Sequence, residues 1–269
     1  MLGRFRMEEP ESVAEVTELL SRFGESAKIY AGGTELLLAM KEGLVQYEHL
    51  INIKGVKGLN EVSAQNGTIK IGALCTHHQL ERSAILRNQL PTLVKLEQNV
   101  ANVRVRHAGT IGGNLCFAEP HADPGTLLLA LNATMVVEKS SSKRKIPAAE
   151  CFVDAYETSL ATDELLTEIR IPTPAAETRS AYVKFGYLER PSVGVALVFG
   201  LHNNLVNDVK IAVGCAGLAP RRIEEAEALL NCKSASEAQQ NLAEAGTIAG
   251  RASQQSATCM DRKNIRNIS

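Results

Sequence analysis

Closely paired cysteines are missing from this chain. Six cysteines are scattered along it, and no two stand in a Cys-x-x-Cys arrangement. This spacing argues against a zinc ribbon or a ferredoxin-type iron–sulfur cluster, because both are held by closely spaced cysteines. Scattered free thiols are typical of a reducing compartment, which predicts a cytoplasmic location and no bound metal. The cysteines are Cys75, Cys116, Cys151, Cys215, Cys232 and Cys259.

A charge excess and a long apolar run are also missing. The 269 residues carry 29 Lys+Arg against 30 Asp+Glu, a net charge of −1. This balance disfavours a nucleic-acid binder or a polybasic membrane-surface protein. No apolar run approaches the ~20 residues of a membrane-spanning helix. The first residues include two arginines, but acidic residues and a proline follow them where a signal peptide would have an apolar segment. A secretory signal is therefore not expected.

Apolar periodicity predicts helices and strands in mixed order, with a change of texture near residue 164. Before that point, helices are expected over 11–23, 34–41, 76–86, 88–99 and 126–131, and strands over 27–31, 49–53, 67–72 and 133–138. The polar run 139–145 is expected to be a solvated turn. Later segments are extended, over 165–171, 180–187, 194–206 and 209–214, before helices at 220–230 and 235–249. Pro172 and Pro174 predict a domain boundary near 173–179.

Two glycine-rich turns are the first sign of a binding site. They are Ala-Gly-Gly-Thr-Glu-Leu at 31–36 and Gly-Thr-Ile-Gly-Gly-Asn at 109–114. Glycine pairs adopt positive φ easily and let backbone amides converge on an anionic phosphate. A glycine pair between a strand and a helix is equally typical of a plain tight turn. The dinucleotide fingerprint and the P-loop are absent, so a phosphate-bearing cofactor would need another fold.

Around these turns the sequence resembles a known family. The segments KIYAGGTELLLAM (28–40) and VRHAGTIGGNLCFAEPHAD (105–123) resemble the flavin subunit of the molybdenum hydroxylases. That family includes the medium subunit of aerobic carbon monoxide dehydrogenase and the flavin domain of xanthine dehydrogenase. The resemblance implies non-covalently bound FAD and an α+β fold of the p-cresol methylhydroxylase type. It also implies an FAD-binding domain over 1–175, with subdomains of about 1–54 and 55–175, and a C-terminal domain of antiparallel sheet plus helices over 176–269.

The resemblance also implies a set of cofactor-binding residues. Asp123 is expected to accept hydrogen bonds from a sugar or ribityl hydroxyl, although an aspartate there also suits a helix cap. Lys184 is expected to stabilise the anionic reduced flavin, and without the resemblance it would be a solvent-facing strand lysine. The full implied set is Ile29, Tyr30, Ala31, Gly32, Gly33, Thr34, Glu35, Leu36, Thr110, Ile111, Gly112, Gly113, Asn114, Asp123, Leu166 and Lys184.

Other chemistry finds little support in the sequence. His77 and His78 are adjacent, so on a helix their side chains diverge by about 100° and are expected to be polar residues at a helix start, not metal ligands. No nucleophile, base and orienting group stand out, and catalytic residues stay unknown. The C-terminal segment 252–269 departs from the family pattern. The cysteine-bearing insertion that adds an iron–sulfur cluster in the 4-hydroxybenzoyl-CoA reductase branch of the family is absent, so no extra cluster is expected.

The function implied by the resemblance is an FAD-binding electron-transfer subunit of a molybdenum-containing hydroxylase or dehydrogenase complex. Its partners would be an iron–sulfur subunit and a large molybdopterin-binding subunit, assembled as a dimer of heterotrimers. Electrons would pass from the partner's clusters through FAD to NAD, a quinone or oxygen. The alternatives are a stand-alone flavin oxidoreductase and a cofactor-free scaffold subunit of the same fold.

Overall fold

The computed structural model describes residues 3–140, 142–186 and 190–264, with side chains described up to 253. Its first unit is a three-stranded parallel sheet with strand order β1-β3-β2. Its helix α1 begins where the Ser12 side chain accepts a hydrogen bond from the Glu15 amide, and it buries Val16 and Leu20 against the sheet. The elements of this unit are β1 (Arg6–Glu8), α1 (Val13–Phe23), β2 (Ala27–Tyr30), α2 (Leu36–Lys41) and β3 (His49–Asn52).

The second unit contains a five-stranded antiparallel sheet in the order β4-β5-β10-β6-β7, with helices packed against it. A two-stranded ribbon, β8-β9, lies outside this sheet. The strands are β4 (Val62–Gln65), β5 (Thr68–Gly72), β6 (Thr134–Lys139), β7 (Ser142–Pro147), β8 (Phe152–Asp154), β9 (Glu157–Thr158) and β10 (Leu165–Pro172). The helices are α3 (His77–Arg82), α4 (Ala84–Gln89), α5 (Pro91–Glu97), α6 (Val103–Ala108), α7 (Ile111–Phe117), α8 (Asp123–Ala130) and α9 (Ala148–Cys151).

The third unit is a second antiparallel sheet, β11-β12-β13-β14, with β15 pairing on β13. Helices α10 and α11 cover one of its faces. The other face packs on α8, of which every residue is buried. A helix buried on every side belongs in an interior, and α8 packs between this sheet and helices α5, α7 and α9 of the second unit. The elements are β11 (Thr178–Phe185), β12 (Val193–His202), β13 (Leu205–Gly214), β14 (Arg221–Arg222), α10 (Glu224–Leu230), β15 (Lys233–Ser234) and α11 (Ala235–Asn264).

Several predicted boundaries are wrong for local reasons. The two helices expected over 76–99 are three, because Ser83 caps a new helix and Pro91 begins another. The predicted turn over 139–145 is largely strand β7, in which only Ile146 is buried, so the strand has almost no apolar signal. Helix α11 continues to Asn264, past its predicted end at 249. The predicted strand end at residue 187 and residues 265–269 of the atypical C-terminal segment lie outside the described residues.

The predicted division at 175/176 falls between β10 and β11. In the described part of the chain, no helix combines the length and apolar character needed to cross a bilayer.

Candidate functional site

The first glycine motif connects β2 to α2, and one glycine in it is required by backbone geometry. Gly33 has φ +72°, a region that disfavours side chains with a Cβ. A Cβ there would also lie 2.3 Å from the Tyr30 ring. The chain can therefore follow this path only with glycine at position 33.

The same loop has unused backbone donors. The amides of Gly32, Gly33 and Thr34 donate no hydrogen bond within the described part of the chain. Backbone amides normally find an acceptor, and three successive free ones form a ready site for an anion. This loop therefore has backbone donors available to an anionic group of a ligand.

The two glycine motifs touch each other in the fold. A Cβ on Gly32 would lie 2.3 Å from the Ala108 carbonyl oxygen and 2.7 Å from the Gly109 Cα. A Cβ on Gly109 would lie 3.5 Å from the Thr34 hydroxyl. Segments that are distant in sequence thus meet backbone to backbone, which glycine alone permits.

The second motif uses its amides differently from the expectation. Its residues from Ile111 onward form the first turn of α7 instead of a loop. The amides of Ile111 and Gly112 donate to the carbonyls of Cys75 and Ala73. The Gly113 amide donates to the capping Thr110 hydroxyl. The expected convergence of amides on an anion is therefore wrong for this motif, because neighbouring backbone and the cap already occupy them.

The two glycines of the second motif have separate tasks. A Cβ on Gly112 would come within 2.7 Å of Ala73, so this glycine allows close packing. Gly113 is exposed, and a Cβ there would meet only the Thr110 hydroxyl at 2.9 Å. Gly113 leaves a bare strip of helix surface that a flat or extended ligand can approach.

Asn114 adds an unused acceptor next to this strip. Its Oδ1 atom is buried and accepts no hydrogen bond from the described residues. Asn114 lines a small cavity together with Ala122 and Gly125, at the start of α8. A buried acceptor without a donor is costly, and a bound ligand that donates there would satisfy it.

Asp123 and Lys184 meet at the junction of α8 and β11. The Lys184 Nζ lies 2.7 Å from Asp123 Oδ2 and donates to the Asn99 carbonyl oxygen, also at 2.7 Å. Asp123 is 4% exposed. The solvent-facing alternative for Lys184 is therefore wrong, because its ammonium group is paired with a buried carboxylate. Asp123 is the first residue of α8, with Ala122 in the capping position.

A second donor holds the same carboxylate. The Tyr182 hydroxyl donates to Asp123 Oδ1 over 2.6 Å. Burial, reinforced by the Asp123 charge, raises the pKa of Tyr182 above its usual value, so the phenol stays protonated and donates. Burial likewise raises the pKa of the adjacent Cys215 thiol to about 12. Sequence reasoning missed Tyr182, whose only signal is its position two residues before Lys184 on the same face of a strand.

Leu166 lies apart from these groups. It pairs with Val137 across β10 and β6 and is buried in the main hydrophobic core. Packing alone accounts for a leucine in this position. Its contact with a cofactor stays a prediction.

His77 and His78 point to different surroundings. His77 is 2% exposed, and its Nδ1 lies 2.6 Å from Oε2 of Glu97, which is fully buried. His77 is the first residue of α3, as the sequence predicts, and its ring is buried against Glu97. His78 stacks on His107 at 3.8 Å and contacts Glu81. Among the described residues, no group of histidine, cysteine and acidic side chains could hold a metal ion.

The cysteines with described side chains are free thiols. Burial raises the pKa of Cys75 and of Cys151 to about 11, and that of Cys116 to about 12. Cys75, Cys116 and Cys151 are therefore protonated at neutral pH and behave as small apolar side chains. They supply no nucleophile to the site.

Comparison with known proteins agrees with this geometry. A family model described as the FAD binding domain in molybdopterin dehydrogenase matches residues 3–174. The chain belongs to this family. It is 35% identical over 215 residues to the carbon monoxide dehydrogenase medium chain of Hydrogenophaga pseudoflava, covering 78% of this chain and 74% of that protein. It is 32% identical over 254 residues to the nicotine 6-hydroxylase medium subunit of Paenarthrobacter nicotinovorans, covering 93% and 87%.

Structural similarity extends beyond the matched domain. Carbon monoxide dehydrogenase from Hydrogenophaga pseudoflava superposes with a TM-score of 0.87 at 35% identity, over 91% of this chain and 86% of that chain. The predicted α+β flavin-binding fold and C-terminal sheet with helices are confirmed. As a member of the molybdopterin dehydrogenase FAD-binding family, the chain is an FAD-binding oxidoreductase subunit.

Proposed function

We propose that this chain is the electron-transfer subunit of a molybdenum-containing hydroxylase or dehydrogenase complex. It holds FAD between the iron–sulfur clusters of a partner subunit and an external acceptor, which is NAD, a quinone or oxygen. The observation that carries the proposal is the contact between the two glycine motifs, beside which the amides of Gly32, Gly33 and Thr34 donate no hydrogen bond to the described residues. When bound, FAD accepts electrons singly from a cluster and releases them as a pair.

Each part of the site has a separate task in this proposal. The amides of Gly32, Gly33 and Thr34 bind the pyrophosphate, and the bare helix surface at Gly113 lets the cofactor lie close. Asp123 accepts a hydrogen bond from a cofactor hydroxyl. Lys184 holds Asp123 and places a positive charge at the site. We retain as further contacts the backbone or side chains of Ile29, Tyr30, Ala31, Glu35, Leu36, Thr110, Ile111, Gly112, Asn114 and Leu166.

The proposed partners are an iron–sulfur subunit and a large molybdopterin-binding subunit, in a dimer of heterotrimers. The relatives are named as medium chains or subunits, which supports a complex with other chains. The sequence has no Cys-x-x-Cys pair, so the clusters belong on a partner. The scattered thiols support a reducing compartment, and we propose the cytoplasm.

We also propose three structural units in the chain, with an FAD-binding domain of two subdomains at about 1–54 and 55–175 and a C-terminal domain at 176–269. The three sheets support this division, since each lies within one of these ranges. The end of the family match at residue 174 supports the second boundary.

The deciding experiment is a visible absorption spectrum of the purified protein before and after reconstitution with FAD. We expect flavin bands and copurification of two further chains, one carrying iron–sulfur clusters, when the complex is isolated from its source. If no flavin bands appear after reconstitution, the proposal is wrong and the alternative of a cofactor-free scaffold subunit is favoured. A flavoprotein that oxidises its own substrate without other chains would overturn the electron-transfer proposal in favour of a stand-alone enzyme.

A further inference from the structure

We propose that Tyr182 is a positioning residue of the flavin site, whose hydroxyl fixes the Asp123 carboxylate for hydrogen bonding to FAD and so couples cofactor affinity to the C-terminal sheet. This inference rests on the proposed function. It adds to Lys184 a second residue of the C-terminal unit, which lies outside the family match over residues 3–174.

The orientation of the carboxylate is determined from both sides. Tyr182 donates to Oδ1 over 2.6 Å and Lys184 to Oδ2 over 2.7 Å. One donor alone would leave Asp123 free to rotate about its last torsion, whereas two donors on opposite oxygens fix it. Charge-assisted hydrogen bonds of this length are among the stronger ones in proteins.

Both donors belong to one face of one strand. Tyr182 and Lys184 are two residues apart on β11, and their neighbours across β12 are Ala196 and Gly194. This is the face that packs on α8. The carboxylate therefore belongs to the second unit, while the groups that orient it belong to the third.

The sheet contains a specific space for the Tyr182 hydroxyl. A Cβ on Gly194 would lie 2.2 Å from the hydroxyl oxygen and 3.4 Å from the Cys215 sulfur. Gly194 has no positive φ that would demand glycine. Position 194 is therefore a glycine because any side chain there would collide with the Tyr182 hydroxyl above Asp123.

The hydroxyl can be tested separately from the ring. Tyr182 packs against the main core, and phenylalanine preserves that packing. In Tyr182→Phe apo-protein we expect FAD to bind at least ~10-fold more weakly, because a hydrogen bond to a buried charge is lost. The measurement is a titration of apo-protein with FAD, followed by flavin fluorescence. Tyr47→Phe, which removes a hydroxyl from the segment before β3, is the matched control and should bind as wild type does.

Two further variants separate positioning from a general loss of structure. Gly194→Ala leaves Tyr182 in the chain but displaces its hydroxyl, and it should weaken FAD binding to a similar extent. In an Asp123→Ala background, Tyr182→Phe should change FAD affinity by less than about 2-fold, because its target is gone. An effect that persists undiminished in this background would overturn the positioning role.

The outcomes also distinguish this inference from the proposed function. If wild-type apo-protein fails to bind FAD, both are wrong. If wild type binds FAD and Tyr182→Phe binds it equally well, only the positioning role is wrong. Thermal unfolding of each apo variant shows whether a change in affinity comes from a folded protein.

Discussion

Glycines of the two motifs are present for different physical reasons. Gly33 has φ +72°, and a Cβ there would lie 2.3 Å from the Tyr30 ring, so both its backbone and its surroundings require glycine. Gly113 has ordinary helical backbone and lies exposed on α7. Glycine is thus required for backbone conformation at position 33 and leaves the helix surface accessible at position 113. The amino-acid composition alone does not distinguish these two roles.

Gly33→Val should weaken FAD binding at least ~10-fold, because a left-handed backbone costs an L-residue roughly 1–2 kcal/mol and the side chain collides with Tyr30. Gly58→Val is the control, since Gly58 has φ +81° in open space. FAD titration of both apo-proteins measures the effect. Equal affinities would show that the first glycine loop does not bind the cofactor.

Lys184→Met should lower the midpoint potential of the bound flavin by tens of millivolts, since about 30 mV corresponds to ~1.4 kcal/mol for a two-electron couple. Removal of the ammonium group leaves the Asp123 charge uncompensated, which disfavours negative charge on the reduced ring. Equilibrium reductive titration measures the potential. Lys143→Met removes a lysine from an exposed ion pair on β7 and is the control. Unchanged FAD content and potential in Lys184→Met would exclude Lys184 from the site.

At the scale of elements, α7 is the piece that the sequence describes least well. The Gly-Gly pair predicts a turn, yet the chain is helical from Ile111. Two amides of its first turn bond to the segment after β5, and this support offsets the poor helix propensity of glycine. The helix exists because of its neighbours, and local sequence rules could not find it.

Valine substitutions separate the two glycines of α7. Gly112→Val should lower the free energy of unfolding by about 1–3 kcal/mol, because its side chain overlaps Ala73. Gly113→Val should lower the free energy of unfolding by only about 1 kcal/mol, because its Cβ meets a single atom, the Thr110 hydroxyl that caps α7. It should nevertheless reduce FAD retention, because it covers the approach surface. Chemical denaturation measures the free energy of unfolding, and the flavin content of the purified variants measures FAD retention. Normal FAD retention in Gly113→Val would contradict the proposal that FAD lies against α7 at Gly113.

For the whole molecule, α8 connects the second unit to the third. Its apolar residues are buried on every side, and β12 and β13 meet it with small residues such as Gly194, Ala196, Ala212 and Gly214. A Cβ on Gly214 would lie 1.9 Å from the Thr126 hydroxyl. The close approach of sheet and helix brings Tyr182 and Lys184 to Asp123.

Gly214→Ala should therefore lower the free energy of unfolding by about 1–3 kcal/mol through overpacking. FAD affinity should fall with it, because displacement of the sheet also moves both donors to Asp123. Gly246→Ala in α11 is the control, where the added methyl group meets open space and should stabilise the helix by roughly 0.5–1 kcal/mol. Denaturation curves of both variants measure this. If Gly214→Ala is as stable as wild type, the close approach of the sheet to α8 at this position is not required for stability.

The sequence by itself determined the features that depend on near neighbours. The apolar stripe of α1, the strand before the first glycine pair and the change to extended segments after residue 164 follow from periodicity and turn chemistry. Resemblance in the two glycine segments added the family and its cofactor. Boundaries such as the break at Ser83 were missed because a cap is a weak signal inside a helical pattern.

Tertiary structure alone decided which of these groups meet. Tyr182 and Lys184 lie 59 and 61 residues from Asp123, and His77 lies 20 residues from Glu97. Hydrogen bonds over such separations depend on how sheets and helices pack, and local propensity contains no information about them. Packing also decided which amides remain free, because an amide is available to a ligand only where no neighbouring carbonyl or cap already accepts its hydrogen bond.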